Sequence, residues 1–231
     1  MRRRTLTGAA LVVLCASASA RAETQLADLL ASAAPTADPS VLTLAARAAE
    51  CARRQGPANQ VDRLAVIDYS RPSDQPRLWV FDLDRGRLLF QELVAHGRGT
   101  GERLAERFSN AEGSHMSSLG LFRASEPYNG GNGYSLRLEG LEPGFNDRAL
   151  DRAIVMHGAP YVSEDLILKQ GRIGRSWGCP AVRSAVARRM IDTLKNGALL
   201  FAYYPDRKWL EESSYLQCGS APAATQIARA R

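Results

Sequence analysis

The sequence predicts an α+β fold, and three observations carry that prediction. Short runs rich in β-branched and aromatic residues recur between Leu64 and Gly158, divided by turn-forming Pro, Gly, Asn and Asp. A helix-period stripe precedes them at Val41, Leu44, Ala45, Ala48, Cys51 and Ala52. Two more helical segments and a final apolar run come late, so strands and helices are grouped rather than strictly alternated.

Taken in order, residues 1–22 read as an export signal. Arg2, Arg3 and Arg4 make a basic n-region, Ala9 to Ala16 an apolar core, and Ala18-Ser19-Ala20 or Ala20-Arg21-Ala22 a small-x-small cleavage site. The apolar run is too short for a spanning anchor, and the bulky Leu14 before Cys15 argues against a lipoprotein signal. Residues 23–60 form an N-terminal helical segment: a short helix and linker to 37, then a helix capped by Asp38, with Pro39 in its first turn and Gly56-Pro57 at its end. The main domain covers 61–205. Its strands are expected at 64–70, 77–83 and 88–97, the last two as a hairpin, and at 118–124, 134–140 and 153–158. The polar stretch 98–116 is a loop over one face of the sheet. PYNGGNG is a turn between strands. Ser163 caps a helix stopped by Gly171; Pro180 lies just inside a second helix over 181–196, stopped by Gly197. Residues 198–204 form a last strand. The tail, 206–231, loses periodicity, and its Ala-rich end reads as disordered.

With 231 residues, 45% hydrophobic and 23% charged, the chain is long enough for one well-buried domain. Removing residues 1–22 takes away four arginines and no acid, which lowers the formal charge from +6 to +2. The mature chain has no basic run interleaved with aromatics, so nucleic acid is not an expected partner. No later segment is apolar enough for a stable membrane span. Export leaves Cys51, Cys179 and Cys218 in an oxidising compartment, and an odd count there suggests one disulfide and one free thiol. Cys51 and Cys218 are the proposed pair; the alternative is a buried free Cys51 and a thiol in the tail.

The candidate site lies between Ile154 and Arg183. An apolar run ends in His157-Gly158, and Ser176-Trp177-Gly178-Cys179-Pro180 follows. A histidine at a strand end and a cysteine at a helix start make a nucleophile and its base if the fold joins them. Each residue alone has a plainer reading, Cys179 as a small buried side chain and His157 as a structural histidine. Together, a His-Gly, a spacer and a Ser-x-Gly-Cys resemble the cysteine L,D-transpeptidase (YkuD-like) catalytic domain of bacterial cell-wall enzymes. The chain is most similar to the murein L,D-transpeptidase branch, with GRSWGCPAV in place of the commoner SHGC. The likeness runs from about Val61 to Tyr204.

The resemblance implies a mostly β, sandwich-like catalytic domain. It implies Cys179 as nucleophile, His157 as base oriented by a backbone carbonyl, and the N–H groups of Cys179 and Gly178 as oxyanion donors. Gly178 also lets the backbone turn sharply before the nucleophile. A helix N-terminus alone contributes only about 0.3–1 kcal/mol to thiolate formation, so the histidine is the larger expected influence. The implied partners are peptidoglycan stem peptides, with a neighbouring or protein amine as acceptor, in the periplasm or cell envelope. No cofactor and no metal are implied; the three histidines and Cys179 have no close ligand spacing. Ser176, Trp177, Arg175, Arg183, His96 and Tyr161 are candidate substrate contacts, with Arg172 beside them. Trp177 stands where most members of the family carry a second histidine. It either walls the groove or packs in the core. Hydrolysis of the same acyl-enzyme and a non-catalytic wall-binding module are the rival functions.

Overall fold

The computed structural model describes residues 9–55 and 61–218. Helices α1 (Ala9–Ala33) and α2 (Pro39–Gln55) come first. The strands follow as β1 (Arg63–Asp68), β2 (Leu78–Asp82), β3 (Arg87–Glu92), β4 (Val94–Ala95), β5 (Gly120–Gly130), β6 (Gly133–Gly140), β7 (Val155–Ala159), β8 (Ala181–Arg183) and β9 (Leu199–Tyr203). Helix α3 (Glu164–Gln170) follows β7, α4 (Ser184–Leu194) follows β8, and α5 (Arg207–Glu212) follows β9. This is a sheet-rich α+β fold, as the sequence predicts.

All nine strands join one mixed sheet of order β3-β2-β1-β9-β5-β6-β7-β8-β4. Its two end strands are consecutive in the chain, with only Leu93 between them. Laid flat, the ends would stand roughly 38 Å apart at about 4.8 Å per strand, and one residue spans about 3.5 Å. The sheet therefore curls back until its edges meet, which gives the sandwich-like form. Arg183 of β8 ties this seam, donating from Nε and Nη2 to the two carboxylate oxygens of Glu92 at 2.8 Å each.

The curl also corrects the expected strand over 88–97. It breaks at Leu93 because β3 pairs with β2 and β4 with β8, at opposite ends of the sheet. PYNGGNG is likewise not simply a turn. Strand β5 runs to Gly130 and pairs with β6 to its last residue, so only Gly131 and Asn132 turn the chain. The expected helix from Ala181 starts three residues later. Ala181 and Val182 are fully buried and pair with β7 on one side and β4 on the other, and that pairing overrides the local helical period.

The N-terminal helices share the sheet's core. Leu26 and Leu30 of α1 pack in one cluster with Val41, Leu42, Ala45 and Ala48 of α2 and with Leu64, Phe81 and Phe201 of the sheet. Helix α1 is continuous to Ala33, where a short helix and linker were expected. The expected stop at Gly56-Pro57, the n-region arginines and the Ala-rich end of the tail lie outside the described residues.

After β9 the chain is ordered by one anchor. Asp206 caps α5 by accepting from Trp209 N at 2.8 Å, and the fully buried Trp209 donates from Nε1 to Glu142 Oε2 at 3.1 Å. Six residues are too few to show a period, so this helix escaped the sequence pattern. Cys218 then joins Cys51 in a disulfide with Cα atoms 5.8 Å apart, and Cys179 is a free cysteine. The bridge closes a loop of 167 residues; chain entropy puts its worth at no more than about 5 kcal/mol.

Candidate active site

Cys179 sits in the bend before β8, and buried hydrogen bonds fix the shape of that bend. Ser176 Oγ donates to Cys179 O at 2.6 Å and accepts from Gly178 N at 3.0 Å. Ser117 Oγ donates to Gly178 O and accepts from Gly97 N, both at 3.0 Å. Gly178 has φ +127, a conformation that needs glycine, and a Cβ there would lie 2.8 Å from Met116 O. The glycine before the nucleophile is thus required by the turn and by the backbone behind it.

The thiol faces a second corner of the chain. Cys179 Sγ accepts from Val155 N at 3.5 Å and lies 3.7 Å from Ala153 O. Burial pushes the thiol pKa above its ordinary value, while the Val155 N–H and the charge of Arg152 oppose that shift. No helix helps here: the first residue of α4 is Ser184, beyond β8. This corrects the expectation that Cys179 opens a helix.

His157 lies in β7, paired with Ser135 of β6 on one side and with Ala181 of β8 on the other. That register sets it beside the segment that follows Cys179. Its Nδ1 lies 3.0 Å from Gly158 O. A carbonyl only accepts, so Nδ1 carries the proton and Nε2 holds a lone pair. Burial lowers the pKa of His157, partly offset by the Gly158 carbonyl. At neutral pH the resting pair is therefore a thiol and a neutral imidazole.

Cys179 and His157 line one cavity of about 260 Å³, together with Asn132, Tyr161, Arg175, Ser176 and Trp177. Asn132 comes from the β5–β6 turn, and the length of that hairpin carries it to the site. Burial lifts the Tyr161 hydroxyl to about 12, so it is protonated and able to donate. Arg175 donates to Glu102 Oε1 at 2.6 Å, and Arg172 lies 3.1 Å from the other oxygen of the same carboxylate. Trp177 is 71% exposed, which excludes the core alternative. Its ring lies 5.3 Å from that of His115, with the Arg98 guanidinium 5.5 Å from its centroid.

Two expected site residues are placed elsewhere, and a third is engaged by a neighbour. His96 is fully buried, accepts from Arg77 Nη2 at Nδ1 (2.8 Å) and faces Gly101 O through Nε2 (3.3 Å), so it is no groove contact. Arg183 closes the sheet seam and lines a separate cavity of about 420 Å³ with Glu164 and Ile167. The Gly178 N–H, expected as an oxyanion donor, is instead taken by Ser176 Oγ. Among the described residues, no group of three His, Cys, Asp or Glu side chains is placed to hold a metal, and no helix is long and apolar enough to cross a membrane.

Two residues near the thiol carried no sequence signal. Ser117 is one of three serines within five residues of an unpatterned loop. Arg152 stands in the equally unpatterned stretch LEPGFNDRALDRA.

A model of the L,D-transpeptidase catalytic domain family matches residues 33–203. No curated protein matches the chain. Solved structures align at low identity. An L,D-transpeptidase from Mycobacterium smegmatis shares 15% identity over 62% of this chain and 59% of its own, with TM-score 0.39. The helical cell shape determining protein from Campylobacter jejuni shares 14% over 63% and 49%, with TM-score 0.40. An L,D-transpeptidase from Stackebrandtia nassauensis shares 11% over 80% and 79%, with TM-score 0.38. The chain thus spans about half to three fifths of the length of the first two.

Proposed function

The chain belongs to the L,D-transpeptidase catalytic domain family, and from that premise we propose that it is an exported cysteine acyltransferase acting on peptidoglycan stem peptides. The observation that carries this is the shared cavity, which Cys179 and a neutral His157 with an unprotonated Nε2 both line. His157 Nε2 takes the thiol proton as Cys179 Sγ bonds to the carbonyl carbon of the L-centre that precedes a terminal D-residue. The Cys179 N–H stabilises the oxyanion. As the tetrahedral centre collapses, the carbon–nitrogen bond to the D-residue breaks, and its nitrogen recovers the proton from the imidazolium. A second amine then attacks the thioester, gives its proton to His157, and leaves with the acyl group as Sγ departs as a thiolate and takes that proton back from the imidazolium. Tyr161, Asn132 and Trp177 wall the cavity that receives the peptide, and Arg175 at its rim offers a partner for stem-peptide carboxylates. Residues 1–22 serve as the export signal that brings the enzyme to the periplasm or cell envelope.

The test is the product spectrum of the mature protein, residues 23–231, with purified stem peptides, read by mass. Loss of the terminal D-residue with a new amide joined to a second stem identifies transpeptidation. Loss of the D-residue alone identifies an L,D-carboxypeptidase. A carbapenem should add its mass to the protein, and Cys179→Ala should abolish both the adduct and peptide turnover. Wild-type turnover by Cys179→Ala would overturn the catalytic reading, and no turnover by either protein would leave a wall-binding module.

A further inference from the structure

We propose that Arg152 is a positioning residue for the nucleophile: an uncompensated guanidinium, fixed behind the Gly178-Cys179 backbone, that biases Cys179 toward its thiolate. This rests on the reading of Cys179 as the nucleophile and adds a residue to it.

The geometry is specific. Arg152 is tied down by neutral oxygens. Nη1 donates to Ser109 O at 2.8 Å and to Ser118 Oγ at 2.6 Å; Nη2 donates to Met116 O at 2.6 Å and to Ser114 Oγ at 3.3 Å. Met116 O is the same atom that leaves no room for a Cβ on Gly178, and Arg152 Nη2 itself would lie 3.5 Å from that Cβ. The guanidinium therefore backs directly onto the bend that carries the thiol. Among the described residues, no carboxylate lies within 4.0 Å of it. An arginine of this kind usually neutralises an acid; this one keeps its full charge within a half-buried pocket.

The corner that presents it is itself strained. Ala153 has φ +52, a left-handed conformation that disfavours any residue with a side chain. That corner sets Ala153 O against Cys179 Sγ, brings Val155 N to the same sulfur, and turns Arg152 inward. Strain at a point that serves the nucleophile from both sides is a functional placement. Burial lowers the Arg152 pKa and Arg148 adds to that, while the charge of Cys179 opposes it, so the two groups act on each other.

The other groups around the thiol do not supply this charge. His157 is neutral at rest because burial lowers its pKa. Tyr161 and Tyr69 are held protonated, each pushed up to about 12. Arg175 is engaged by Glu102, and Arg148 by Glu112 at 3.5 Å. Arg98 is spent on the Trp177 ring and His115, and Arg77 on Val94 O, Arg71 O and His96, which among the described groups leaves Arg152 as the unpaired cation that acts on Cys179.

The experiment is the pH profile of Cys179 alkylation by iodoacetamide between pH 7 and 10.5, using the mature protein with its disulfide intact. Arg152→Met should move the midpoint up by about one unit, seen as roughly tenfold slower alkylation below the midpoint. Arg152→Lys keeps the charge and should recover most of that rate, although it loses the forked hydrogen bonds. Circular dichroism and thermal melting of each variant register any structural loss. If Arg152→Met melts lower but alkylates with the wild-type midpoint, or if Lys and Met behave alike, the electrostatic role is wrong. The readout needs no peptide substrate, so it fails or succeeds independently of the assay that identifies the reaction.

Discussion

The molecule contains the same dipeptide twice, His96-Gly97 and His157-Gly158, each at the end of an apolar run. The structure gives the two histidines opposite fates. His96 has both ring nitrogens engaged, Nδ1 by the buried Arg77 and Nε2 by Gly101 O. Burial first, and the Arg77 charge second, push its pKa down to about 3. His157 has one nitrogen engaged by its neighbour's carbonyl and opens onto the cavity that holds Cys179. A histidine becomes a base because one nitrogen is oriented and the other is left unused. The first histidine is orienting, too, but what it orients is structure. Arg77 is fully buried with no carboxylate within 4.0 Å among the described residues, and donates to Val94 O, Arg71 O and His96 Nδ1; His96 completes its shell of neutral acceptors.

The sharpest break between the two is kinetic. His157→Gln should slow Cys179 acylation by about 10²–10⁴-fold, the usual worth of a general base, with little change in the melting temperature. His96→Gln should leave acylation within a few-fold of wild type. Equal losses in the two variants would erase the distinction. The measurement is the rate of the carbapenem mass shift for each protein.

The pH profile of acylation sharpens the same contrast. Only neutral His157 can take the thiol proton, and burial lowers its pKa below the ordinary 6.5. The rate should therefore rise with pH through a midpoint below that value and stay level through neutrality, because the thiol pKa is raised and no thiolate gain occurs there. His157→Gln should remove the limb, and His96→Gln should leave it unmoved. A rising limb centred above 6.5 would overturn the lowered pKa of His157 on which this profile rests.

His96 speaks through stability instead. Its folded pKa of about 3 lies below the unfolded value near 6.5, so between those values the unfolded chain binds a proton that the folded one refuses. Stability contributed by the neutral ring is present above pH 6.5 and is lost as pH falls toward 3, by up to about 1.4 kcal/mol per unit. Urea denaturation at pH 7, 6, 5 and 4 should show this slope in the wild type and a shallower one in His96→Gln. Parallel slopes would place the acid sensitivity elsewhere.

The sequence carries some of this and not the rest. The His-Gly and Ser-x-Gly-Cys elements led the sequence to expect His157 and Cys179 together, and both line one cavity. Local signals were legible as well: Ser163 does accept from Leu166 N, and Gly171 does close α3 at φ 72. What depended on distant partners was not. Nothing near His96 reports that Arg77, 19 residues earlier, points into its ring. Ala181-Val182-Arg183 has a helical period with the residues after it, and only burial between two other strands makes it β8. Arg152 had no pattern around it, since its role is set by oxygens from 34 to 43 residues away.

The third histidine supplies the weakest contrast and the smallest expected effect. His115 sits at φ 54, takes Arg98 on Nδ1, and stacks its ring near that of Trp177. Half-buried His115 stands beside the exposed Trp177, which lines the cavity at the position expected from the family resemblance to carry a histidine. We expect a large apolar ring held there by His115 and Arg98 to limit water near a Cys179 thioester and to favour a bound amine as acceptor. Trp177→His leaves the core intact because the ring is 71% exposed, and a surface change of this kind should alter stability by no more than about 0.5 kcal/mol. Acylation should persist, while the ratio of transfer to hydrolysis should fall by a few-fold, read from the mass spectrum of products at fixed acceptor concentration. An unchanged ratio would show that Trp177 has no part in excluding water. A rise would mean that the ring obstructs the acceptor and not the solvent.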